Sequence, residues 1–93
     1  QNLLISVITE IELLGWHRIT SKHKSIFESL IEDCSVVELT HGIKKTAIEL
    51  KQKHKIKLPD AVIAATSLFL DTPLLTRDSG FERIKTLNLI LIE

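Results

Sequence analysis

The chain of 93 residues is 44% hydrophobic and 26% charged, which gives room for one domain with a single modest core and excludes disordered and fibrous classes. Twelve Lys and Arg balance twelve Asp and Glu to a formal net charge of +0, so no global field marks a nucleic-acid binder, and any charged partner has to meet a local patch. The longest nearly apolar run, Ala61 to Leu70, is broken by Thr66 and Ser67 and falls short of the roughly 20 residues of a membrane helix; a lone Cys34 and the lack of a leader-like opening point to a reducing, cytoplasmic setting.

Leu3 to Ile8 is a short β-branched apolar run of the kind buried in parallel sheets, and reads as a first strand. Thr9 and Glu12 match a Thr-x-x-Glu capping box, which predicts a two-turn helix through Leu13 and Leu14 ended by Gly15. A second helix over Ser21 to Glu32 is expected to bury Ile26, Phe27, Leu30 and Ile31. Ser35 to Leu39 reads as a strand, and Thr40 caps a long amphipathic helix ending near His54, with Ile43, Ala47, Ile48 and Leu50 on its apolar positions. Leu58-Pro59-Asp60 restarts a helix that runs to Leu70, apolar nearly all round and therefore buried. Asp71-Thr72-Pro73 is a turn, Leu74 to Thr76 a short strand, Ser79 to Ile84 a short helix and Leu87 to Ile92 a last strand. Strands separated by helices predict a parallel α/β sheet with right-handed crossovers.

In such a sheet the carboxyl ends of the strands and the amino ends of the returning helices share one edge, where open α/β proteins bind ligands. On this reading Glu12 lies in the first turn after the first strand, Asp60 in the first turn of the long apolar helix, and Asp78 just past the strand ending at Thr76. Carboxylates gathered on one edge repel unless a cation neutralises them, and hard oxygen donors suit Mg²⁺ or Mn²⁺. Such an ion polarises a phosphate oxygen and acidifies an attacking water. Each acid also has a purely local reading: Glu12 closes a capping box, Asp60 complements a helix dipole, and Asp78 starts a helix or holds a turn.

The segments that carry these acids, "SVITEIELLGW" at 6–16, "LPDAVIAATSLFLDTPLLTRD" at 58–78 and "GFERIKTLNLILIE" at 80–93, resemble PIN-domain ribonucleases, above all VapC-type toxins of toxin–antitoxin pairs. The middle of the chain, 17–57, matches that family in pattern only. The resemblance implies a three-layer α/β/α sandwich with a parallel sheet, and an acidic cluster that binds Mg²⁺ or Mn²⁺ and hydrolyses RNA phosphodiesters. Position by position it assigns metal-site and catalytic roles to Glu12, Asp60 and Asp78, and a supporting role to Thr76. It further implies RNA as substrate, a small antitoxin as inhibitor and a homodimer.

Members of that family open with a strand ending in Asp-Thr-Asn or Asp-Ser-Asn, whose Asp is the central metal ligand, and no such segment occurs here. The expectation is one PIN-like domain over 1–93, N-terminally incomplete and short of the fourth acid, with a gap in the sheet between Leu3–Ile8 and Leu74–Thr76. Gln1 is not a translation start, in keeping with a fragment. Little activity is expected from this chain alone.

The most basic stretch runs from Lys44 and Lys45 through Lys51 to Lys53, Lys55 and Lys57, leading toward Asp60; it either steers RNA phosphates or is a solvated helix face. His17, His23, His41 and His54 have no paired spacing for zinc and read as surface residues. Cys34 reads as a small buried group, and Trp16 as core, with a dimer contact as its other reading. Three glycines include no phosphate-binding loop. Two rivals to the nuclease stand: a catalytically incomplete PIN remnant that only binds a partner, and a phosphoacceptor receiver domain, which is disfavoured because the first strand shows no acidic pair.

Overall fold

The computed structural model describes residues 3–92, and the chain divides into two units, 1–38 and 39–93. In the first, strand β1 (Leu3–Ser6) leads directly into helix α1 (Val7–Leu14), followed by helix α2 (Ser21–Glu32) and strand β2 (Cys34–Val37). β1 and β2 pair in parallel from Leu3 opposite Cys34 to Ser6 opposite Val37.

The expected cap at Thr9 is not used. Ser6 caps α1, its hydroxyl accepting the Ile8 N–H at 3.1 Å, so the helix starts one turn earlier and Thr9 and Glu12 lie inside it. Pairing with β2 ends at Ser6, which frees the backbone there to turn into a helix. Glu10 therefore occupies the first turn and Glu12 falls in the second. Ser6→Ala is expected to cost about 1 kcal/mol, read as a lower denaturant midpoint, whereas Thr9→Ala costs less.

α2 has the bounds its periodicity predicts, with Thr20 as N-cap and His23 completing a capping box. Its burial differs from expectation: Ile26 and Leu30 are exposed, and Phe27 and Ile31 are half-buried. β1 differs in the same sense, with Leu3 and Leu4 exposed. A two-stranded ribbon and two helices offer too little surface to cover every apolar row that their sequences present.

The second unit holds helix α3 (His41–Lys53), helix α4 (Leu58–Leu70), strand β3 (Leu74–Thr76), a 3₁₀ helix over Ser79–Arg83 and strand β4 (Leu89–Leu91), two residues shorter at its start than the sequence suggests. Thr40 caps α3 as expected, its hydroxyl accepting the Ile43 N–H at 3.2 Å. α3 packs along α4, with Ile43, Ala47 and Leu50 meeting a row in which Ala61, Ala64 and Ala65 are each 0% exposed. Small side chains on α4 let the two axes approach closely. Ile48, assigned to the same face by spacing, instead stands in solvent, and α4 is buried through its middle but exposed at Leu58, Phe69 and Leu70. Gly42 makes room for a ring of α4: Phe69 lies where its Cβ would be.

α4 ends at Asp71, in the left-handed region at φ 52°, a conformation that Asp tolerates through its short polar side chain. β3 pairs with β4 in parallel, Leu74 opposite Leu89 through Thr76 opposite Leu91, and the connection between them buries Phe81, Ile84 and Leu87. The pairing is parallel and the class α/β, as the sequence predicts. The single sheet is absent among the described residues: β1–β2 and β3–β4 are separate two-stranded sheets, and no described strand pairs with the remaining edge of β1 or β3. Those are the two segments between which the resemblance places a gap. No helix among the described residues is long and apolar enough to cross a membrane.

Candidate functional site

Asp78 follows β3 by two residues, and its position is fixed by a pair of turn hydrogen bonds. Its backbone N–H donates to Thr76 Oγ1 at 3.1 Å, and its Oδ1 accepts the Gly80 N–H at 2.8 Å, capping the 3₁₀ helix. Gly80 leaves room for this contact, since a Cβ there would lie 3.0 Å from the same Oδ1 and the carboxylate would have to shift slightly. Thr76 and Asp78 thus form one rigid corner at the carboxyl end of β3. The local reading of Asp78 as a turn former is met, and the same bonds hold its carboxylate in one orientation.

Asp60 is half-buried in the first turn of α4. That helix starts at Lys57 without a side-chain cap, and Pro59 in its first turn has no N–H to satisfy. The one acid in this first turn is Asp60, where a carboxylate complements the helix dipole. Glu12 is exposed on the second turn of α1, in the other unit. Among the described residues, no group of three or more His, Cys, Asp or Glu side chains could hold a metal ion.

Of the lysines, Lys53, Lys55 and Lys57 are exposed around the α3–α4 turn. Lys51 braces that turn instead, its Nζ donating to the Ile56 carbonyl at 2.7 Å, and Arg83 donates to the Lys55 carbonyl at 2.5 Å. These bonds place the exposed lysines beside the start of the helix that carries Asp60.

The structure corrects two small assignments and exposes one feature that sequence reasoning missed. Cys34 is half-buried at the start of β2 rather than enclosed. Trp16 is not core: it keeps 41% of its surface open and lies against His23 with ring centroids 5.1 Å apart and planes tilted by 38°. The signal for an exposed tryptophan was its place directly after Gly15, where α1 has ended and the chain turns outward.

The PIN domain family model matches residues 1–87. No curated protein matches the chain. Among solved structures, a toxin–antitoxin complex from Klebsiella pneumoniae is 25% identical, with 91% of this chain and 69% of that one covered at a TM-score of 0.76. VapBC-1 from nontypeable Haemophilus influenzae is 26% identical, covering 97% of this chain and 74% of that one at a TM-score of 0.81. VapBC2 from Rickettsia felis, bound to a DNA fragment from its promoter, shares the fold at 21% identity and a TM-score of 0.82, with 99% and 76% covered. The chain belongs to the PIN-domain family, as a protein of the VapC type.

Proposed function

We propose that this protein is a metal-dependent endoribonuclease of the VapC type, hydrolysing RNA phosphodiester bonds in the cytoplasm under the control of an antitoxin and as a homodimer. The observation that carries this reading is the family match over 1–87, a span that runs through all three acid-bearing segments. Relatives that are themselves toxin–antitoxin complexes support the antitoxin partner. In this reading the two units are parts of one PIN domain, since the match extends through both.

Glu12, Asp60 and Asp78 are the acids that would hold Mg²⁺ or Mn²⁺. The donor chemistry fits a hard cation, and Mg²⁺ is ordinarily bound through one or two carboxylates completed by water and substrate phosphate rather than by an all-protein cage. The described residues hold no ready three-donor group, so this reading rests on the donor chemistry and the family match. When bound, the ion supplies Lewis-acid polarisation of the phosphodiester and a more acidic attacking water. The chain's own part is positional. The Thr76–Asp78 corner fixes one carboxylate, α4 fixes another at its positive end, and Lys53, Lys55 and Lys57 attract the RNA backbone toward that end.

The same lack of a three-donor group favours the second reading, a PIN remnant that only binds a partner. Calorimetric titration with Mn²⁺ separates the two. The nuclease binds Mn²⁺ saturably and at least about tenfold more tightly once a short single-stranded RNA is present, and cleaves RNA when Mg²⁺ or Mn²⁺ is supplied. A flat titration with and without RNA, together with absent cleavage, leaves the remnant.

A further inference from the structure

We propose that residues 16–24 form a contact for single-stranded RNA, in which a nucleobase stacks on Trp16 while the flanking phosphates lie against Arg18, Lys22 and Lys24; the choice of RNA rests on the nuclease reading above. Four observations converge on this surface. The first is charge. Between Glu12 and Glu28 the chain has no acid, yet it carries Arg18, Lys22 and Lys24 as well as His17 and His23, in a protein of net charge +0. This is the local patch that the overall balance conceals, and it lies in a different unit from the lysines of the α3–α4 turn.

The second is the ring itself. Trp16 is 41% exposed, an unusual state for the residue with the largest apolar surface, and its backbone is fixed by a turn in which its carbonyl accepts the Ile19 N–H at 3.0 Å. The third is rigidity. His23 lies against Trp16 with ring centroids 5.1 Å apart and planes tilted by 38°, and it stacks on Phe27 at 6.2 Å with 16° between the planes, so the three rings form a contiguous row whose outermost member is the tryptophan. His23 is held in turn by its capping box, Nδ1 accepting the Thr20 N–H at 3.4 Å while its own N–H donates to the Thr20 hydroxyl at 3.1 Å. A base landing on Trp16 would therefore meet a platform already ordered.

The fourth is the arrangement of cations. Lys22 and Lys24 are the helical neighbours of His23, each about 100° around the axis from it, so they flank the row on both sides, and both are exposed. Arg18 is exposed in the turn two residues after Trp16. The positive end of the α2 dipole adds to the same field. An exposed aromatic ring, here Trp16 backed by the half-buried His23 and Phe27, set among cations is the combination that binds single strands irrespective of sequence, stacking giving base affinity and cations tracking the backbone. The apolar row that continues along α2 through Ile26 and Leu30 offers a protein partner a rival surface, but it leads away from the cationic end.

Trp16 is the sole tryptophan, so its fluorescence reports this surface and nothing else. The full chain is titrated with a dye-labelled RNA hexamer in EDTA, so that binding is read without cleavage, by anisotropy of the dye and by Trp16 emission together. The expected result is saturable quenching that tracks the anisotropy. Three phosphate contacts predict a log–log salt slope of about −2, hence roughly 20-fold weaker binding between 50 and 200 mM salt. Trp16→Ala weakens binding by about 5- to 150-fold while Trp16→Phe keeps most of it, with unchanged circular dichroism in both. RNA binding by anisotropy with unquenched Trp16 and an inert Trp16→Ala overturns the proposal and leaves the nuclease reading intact. Absence of both RNA binding and metal-dependent cleavage overturns that reading as well. Emission that shifts with protein concentration and not with RNA assigns the surface to a second copy and also overturns the proposal.

Discussion

Asp60→Asn is expected to lower Mn²⁺ affinity in the presence of RNA, and metal-dependent cleavage with it, by at least about 100-fold while costing no more than about 1 kcal/mol of stability. The two magnitudes separate the two roles open to this residue. As a helix-end acid, Asp60 contributes the few tenths to 1 kcal/mol that a carboxylate gains in a first turn, and Asn, of nearly the same shape, forfeits only that. As a metal ligand it supplies a full negative charge to a hard cation, which a neutral amide replaces poorly. Calorimetry with Mn²⁺ and RNA, initial cleavage rates and a urea titration on the same variant read the roles independently. A variant slightly less stable but unchanged toward Mn²⁺ and RNA reduces Asp60 to a dipole partner. Asp78→Asn is an informative companion, because an Asn Oδ1 still accepts the Gly80 N–H and keeps the corner after β3 in place.

The largest stability effect is expected at Ile43. It is 1% exposed, the largest fully buried side chain among the described residues, and stands on α3, which packs along α4, so Ile43→Ala opens a cavity in the core. The loss should be about 2–5 kcal/mol, a large part of the roughly 5–15 kcal/mol that holds a typical domain. Ile48, five residues on in the same helix and 52% exposed, is the internal control: Ile48→Ala should change stability by no more than about 0.5 kcal/mol. Chemical denaturation of the two variants side by side checks the pair, and equal losses would show that the α3–α4 contact is not the centre of the fold.

Legibility in the sequence followed the reach of the interaction concerned. α2, α3 and α4 were readable almost to the residue because their signals are local: the spacing of Ile26, Phe27, Leu30 and Ile31 marks α2, and Thr40 and Pro59 act within one turn of chain. The start of α1 was misplaced since two hydroxyls three residues apart, Ser6 and Thr9, both suit an N-cap. Only the end of the β1–β2 ladder decides between them, and that ladder depends on residues 34–37. Burial failed in one direction. Spacing shows which face of a helix is apolar, as for Ile26, Leu30 and Ile48, but not whether enough surface exists to cover it. The candidate acids were visible as residue types at element ends, and Asp78 with Thr76 emerged as a hydrogen-bonded corner. Glu12 stands in the other unit, and no periodicity encodes the tertiary placement of the three acids.

The burial pattern also bears on cooperativity. Every buried apolar residue among those described lies between Ile43 and Leu87, whereas from Leu3 to Glu38 only Ser6 is buried. The apolar residues of 3–38 are half-buried or exposed rather than enclosed, so disordering them releases less apolar surface per residue than disordering 39–92, with a smaller share of the heat-capacity change and the denaturant slope. A state ordered over 39–92 alone is therefore the partly ordered state expected first on melting. Anything that clasps the first unit, a partner or a bound strand of RNA, would act as a thermodynamic lock on Glu12 and Trp16 while leaving the α3–α4 core unchanged.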